Sequence, residues 1–149
     1  MLTADHMRML PDFFADIPDP RRAQGRRHSL PTVLAIAAGA ILCGMRGYKA
    51  IADWANGLGS KARGRFRCRR KNGRLLVPSE SIIRDCLVRV DPEALDLALQ
   101  QWNATQAQAD DSLAIDGKTM RNAIDGQGNQ THIMGAVGHQ TKACHTQKK

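Results

Sequence analysis

At 149 residues and 16.4 kDa, the chain has room for one ordinary domain, or for a small domain plus part of another. Its 42% hydrophobic and 24% charged residues exclude intrinsic disorder, and an aromatic content of 4% leaves the core to Leu, Ile, Val and Ala. A formal charge of +8 with a pI near 9.9 points to a polyanionic partner, and no apolar run reaches the ~20 residues of a membrane span.

The N-terminus carries acids early (Asp5, Asp12, Asp16) and lacks the charged-then-apolar layout of a secretion signal, so a soluble cytoplasmic protein is expected. Residues 5–15 predict a short helix that Pro11 starts or breaks. Ile17-Pro18-Asp19-Pro20 predicts an extended turn, because each proline restricts the residue before it. Arg21 to His28 reads as a polar, basic connector. Ser29 is a good N-cap, with Pro31 in the first turn, for a helix running to about Cys43. Leu30, Val33, Leu34, Ile36, Ala37, Ile41 and Leu42 surround it nearly completely, which predicts the central buried helix, and Gly44 and Gly47 end it. A second helix from Tyr48 to Asn56 places Ile51, Trp54 and Ala55 on one side, before Gly57 and Gly59 stop it.

The charge excess is local. Lys61, Arg63, Arg65, Arg67, Arg69, Arg70, Lys71 and Arg74 account for all of it, with no acid among them. The segment 61–74 has no periodicity and reads as a basic loop. Such a block suits phosphate contacts and counterion release on nucleic acid. A solvated basic loop is the plainer alternative. An anionic membrane surface is a third, but no lipid anchor or basic amphipathic helix accompanies it.

Beyond it, Ser79 is a plausible N-cap for a helix carrying Ile82, Ile83, Cys86, Leu87 and Val90. Asp91-Pro92-Glu93 then opens another helix with Leu95, Ala98, Leu99 and Trp102 as its inner stripe. The short turn between them fits a helix-turn-helix or an ordinary helical hairpin equally. From Asp110 the character changes. Leu113-Ala114-Ile115 predicts a short strand ending at Asp116, which Thr119 to Arg121 continue; a glycine-rich turn around Asp125-Gly126 follows, then a strand over His132 to Val137 and a third over 141–147. Cys43 and Cys86 read as small core residues, and Cys144 with His139 and His145 makes only a weak zinc pattern.

Asp116 is the sharpest candidate for chemistry, an acid at the exposed end of an apolar strand and followed by glycine. A carboxylate held on a rigid element with open space in front suits a divalent cation, although strand-end Asp-Gly is also ordinary turn chemistry. The wider sequence sharpens this. Phe14-Ala15-Asp16-Ile17-Pro18-Asp19-Pro20-Arg21-Arg22, then Arg26-Arg27-His28-Ser29-Leu30, resembles the opening of H-repeat-associated transposases of the DDE superfamily. Pro78-Ser79-Glu80-Ser81 and Asp91-Pro92-Glu93-Ala94-Leu95 resemble the later part of the same N-terminal associated domain. Ile115-Asp116-Gly117-Lys118-Thr119-Met120-Arg121 is similar to that family's first catalytic block, and His132 to Val137 fits its next strand.

The resemblance implies an α+β chain, with an all-helical associated domain over 1–107 and, over 111–149, the first strands of an incomplete ribonuclease-H-like domain. It implies DNA, the element ends, as partner, and a homo-oligomer in a full-length transposase. The family's site holds two Asp and one Glu around Mg2+ and cleaves and transfers DNA strands. Asp116 matches the first acid; Lys118 and Arg121 beside it become candidate phosphate contacts. The second Asp and the Glu are not matched here, and Asp125 does not stand at the second position. The expectation is therefore an N-terminal transposase fragment, inactive as written; the alternative is a stand-alone DNA-binding remnant or regulator of transposition.

Overall fold

The computed structural model describes residues 4–105, 113–124, 126–138 and 144–148; Asp125 and His139 lie outside these. The chain divides into two compact units, Met1–Ala98 and Leu99–Lys149, so the division falls within a helix.

In the first unit, helix α1 (Ala4–Phe13) runs through Pro11 without breaking there. The proline sits in the last turn, and its ring is fully buried with Leu10 and Phe14, so apolar burial compensates for the missing amide. Helix α2 (Leu30–Leu42) is the central element predicted, packed by α1, by α3 (Tyr48–Gly57) and by α5 (Glu80–Arg89). The Ser29 hydroxyl accepts from the Thr32 amide, as an N-cap should. The buried face covers Leu30, Val33, Leu34, Ile36 and Ala37, whereas Ile41, Leu42 and Cys43 at the C-terminal end are exposed. Cys43 is thus no core residue, whereas Cys86 is buried as expected and Cys68 is buried as well.

The basic segment is not a loop. It folds as helix α4 (Ser60–Arg65) followed by a hairpin of β1 (Arg69–Lys71) and β2 (Arg74–Leu76), antiparallel with Lys71 opposite Arg74. Asn72 and Gly73 both have positive φ, 48° and 76°, which is what a two-residue turn matched to strand twist requires. Charge had masked an Asn-Gly hairpin signal.

Helix α5 begins after Ser79, whose hydroxyl makes no capping bond. In α6 (Pro92–Ala104) the Asp91 carboxylate caps the Glu93 amide at 3.0 Å, and Ala98 and Trp102 are buried.

The second unit contains an antiparallel sheet in the order β3-β4-β5: β3 (Leu113–Ile124), β4 (Gln130–Gly138) and β5 (Cys144–Lys148). Strand β3 continues unbroken through Asp116, which therefore lies mid-strand opposite Gly135 and not at a strand end. The ladder runs on past the Asp-Gly pair, with Gly117, Lys118 and Thr119 opposite Met134, Ile133 and His132.

Candidate nucleic-acid interface

Helix α4 ends in a glycine-type cap built around an arginine. Arg67 has φ 57°, its amide donates to the Gly64 carbonyl at 3.0 Å, and the Cys68 amide donates to the Arg63 carbonyl at 3.0 Å. The Thr32 hydroxyl holds this backbone by donating to the Arg67 carbonyl at 3.1 Å, and the exposed Arg67 guanidinium pairs with Asp12 at 2.7 Å. Phe66 and Cys68 turn inward, so Arg67 and Arg69 turn out.

The eight basic residues consequently differ in role. Arg63 donates to the carbonyls of Leu58, Asn56 and Leu75 at 2.8, 2.8 and 2.9 Å, which ties the end of α3 to β2. Its fork is spent inside the fold. Arg67 is engaged by Asp12, and Arg70 donates to the Gly73 carbonyl at 3.5 Å. Lys61, Arg69, Lys71 and Arg74 are exposed and Arg65 is half-buried; none of the five has a polar side-chain partner among the described residues. Together with Arg70 they present a basic surface on a short helix and a rigid hairpin.

A second ordered feature was legible only as a polar connector. Arg21 is buried, its side chain 2% exposed, and forms a two-pronged pair with Asp19, Nε to Oδ1 at 2.9 Å and Nη2 to Oδ2 at 2.8 Å. It also donates to the carbonyls of Gly25 and His28, at 3.1 and 2.8 Å. The Arg21 guanidinium holds the Asp19 carboxyl below the usual carboxylate range, and Asp19 raises Arg21 in turn. Arg26 closes the turn, donating to the Arg21 and Asp19 carbonyls at 2.9 and 3.0 Å. From α5, Arg89 donates to the Pro20 carbonyl and pairs with Asp85. His28 is buried with Nδ1 unpartnered, and burial, then the charges of Arg69 and Arg21, holds its imidazole below its ordinary pKa. Aspartate two residues before arginine, with glycine four residues beyond, was the available signal for this knot.

In the sheet, Asp116 and Lys118 share one face of β3 and are exposed; Arg121 lies further along the same strand. On the opposite face, the Thr119 hydroxyl and the His132 Nδ1 lie 3.0 Å apart. Among the described residues, no group of three His, Cys, Asp or Glu side chains is placed to hold a metal ion. Asp116 alone does not make a Mg2+ centre, which needs several oxygen ligands. No described helix is long and apolar enough to cross a membrane.

Residues 11–103 match the family described as DDE_Tnp_1-associated. The chain is also similar to an uncharacterized protein in the dhlA 3' region of Xanthobacter autotrophicus, with 35% identity over 151 aligned positions. That alignment covers 95% of this chain and 49% of the relative, so the chain spans about half the length of the curated relative it matches. No solved structure matches it.

Proposed function

This chain belongs to the DDE_Tnp_1-associated family, a domain of DDE transposases, and on that premise we propose that it binds DNA through the basic side chains of α4 and the β1–β2 hairpin. The observation that carries the reading is the sorting of the basic block. Arg63 is consumed in bracing the fold, whereas Lys61, Arg65, Arg69, Arg70, Lys71 and Arg74 stand on ordered elements with few or no internal partners. Phosphate contacts of this kind position a protein on DNA without reading sequence. The DNA proposed is the end of the mobile element, and the compartment is the cytoplasm.

The experiment is binding of a fluorescent DNA duplex across a salt series. Arg69→Ala, Arg70→Ala, Lys71→Ala and Arg74→Ala combined should lower the slope of log affinity against log salt by up to about four units. An unchanged slope would remove the hairpin from the interface.

We further propose that the β3-β4-β5 sheet is the opening of a ribonuclease-H-like domain and that Asp116 is its first acidic residue. No catalytic step is assigned to the described residues, which offer one carboxylate there. The second reading is a DNA-binding protein or regulator of transposition without cleavage of its own. Mg2+-dependent nicking of the duplex that Asp116→Ala abolishes would decide for the catalytic reading.

A further inference from the structure

The mainly basic region is longer than the block from Lys61 to Arg74. From Pro20 to Ser79 the sole acidic residue is Asp53, and it is paired with Lys49 at 2.8 Å. The other basic cluster in this stretch is the turn from Arg21 to Arg27. There Arg21 and Arg26 are committed to Asp19 and to backbone carbonyls, and these bonds fix the turn. Arg22 and Arg27 are exposed on that fixed frame and have no polar side-chain partner among the described residues.

We propose that Arg22 and Arg27 form a second phosphate-binding element, continuous with the hairpin, and that the composite surface takes the backbone of duplex DNA; this rests on the DNA-binding reading above. Three observations join the two elements. The turn runs directly into Ser29 and Thr32 at the start of α2, and Thr32 holds the Arg67 carbonyl at the foot of the hairpin. Arg69 is close enough to His28 for its charge to act on the imidazole. Three nearby acids are already engaged: Asp19 with Arg21 and Arg26, Asp12 with Arg67, and Asp85 with Arg89. The choice of duplex over single strand follows from the side chains. Single-strand sites stack bases on exposed aromatics, and the one aromatic within these two segments, Phe66, is buried.

The test uses the whole chain and a fluorescent duplex of arbitrary sequence. Arg22→Ala with Arg27→Ala should lower the salt slope by about two units, in addition to the loss caused by the hairpin substitutions, with the circular dichroism spectrum unchanged. Arg22→Lys with Arg27→Lys should retain most of the slope. Arg46→Ala is the charge control, because Arg46 follows the far end of α2, about 20 Å away along that helix. An unchanged slope for the Arg22/Arg27 alanine pair, beside a lowered slope for the hairpin variant, overturns the second element while leaving the hairpin reading standing. Unchanged slopes for both overturn the reading beneath it. An equal loss from Arg46→Ala would attribute the effect to net charge and overturn the local surface, and equal affinity for a single strand would overturn the duplex assignment.

Discussion

Arginine 21 and arginine 63 use their donors on backbone carbonyls and a carboxylate, where a lysine head group cannot reach several acceptors in one plane. The charge of Arg21 also acts on its neighbour His28. Burial and the adjacent positive charges depress the folded-state pKa of His28 below the ordinary 6.5. As pH falls through that value the unfolded chain takes up the proton first, so stability declines until the depressed folded value is passed. Asp19 acts at lower pH: its depressed carboxyl stabilises the fold above its ordinary 3.8 and that contribution is lost as pH falls through the folded value. Urea unfolding at pH 7.5 and at about pH 5.5 should therefore give a lower midpoint in acid, and His28→Gln should reduce the difference. An equal difference in both proteins would place the acid sensitivity elsewhere.

Among elements, the link between α2 and the hairpin depends on Gly39. A Cβ at that position would lie 3.0 Å from the Phe66 ring and 3.2 Å from the Trp54 ring, and those rings pack edge to face with centroids 6.0 Å apart. The missing side chain lets Phe66, the last residue before the left-handed Arg67, seat against α2. Gly39→Val should cost about 1–3 kcal/mol through overpacking, seen as a lower urea midpoint. A midpoint at or above wild type would mean the ring pair yields freely. Elements whose signals are local were readable in the sequence: Ser29 and Pro31 at α2, and Asp91-Pro92-Glu93 at α6. The hairpin's Asn72-Gly73 turn was equally local but was obscured by the arginines around it. Thr32 on Arg67, Arg63 on Leu75 and Gly39 against Phe66 join residues distant in sequence, and no single-sequence periodicity encodes such pairs. The same limit applies to the candidate surface: its charge was evident, but which arginines the fold consumes was not.

At the scale of the molecule, the second unit leaves large apolar side chains in water. Ile115, Ile124 and Met134 are 71%, 64% and 57% exposed, and Ile115 and Met134 lie on the same face of the sheet by register. Exposed apolar faces and open strand edges promote association. Light scattering on the whole chain should show self-association rising with concentration, and Ile115→Thr with Met134→Thr should reduce it. Equal association in the variant would exclude that face as the contact.

The division of labour among the arginines also bears on how copies of such a gene diverge. Selection for a folded chain is enough to retain Arg21 and Arg63, because each bridges parts of the backbone. Retention of positive charge at Arg22, Arg27, Arg69 and Arg74 needs selection for contact with a partner. A lineage with no such partner would thus keep the first pair while the second group drifted.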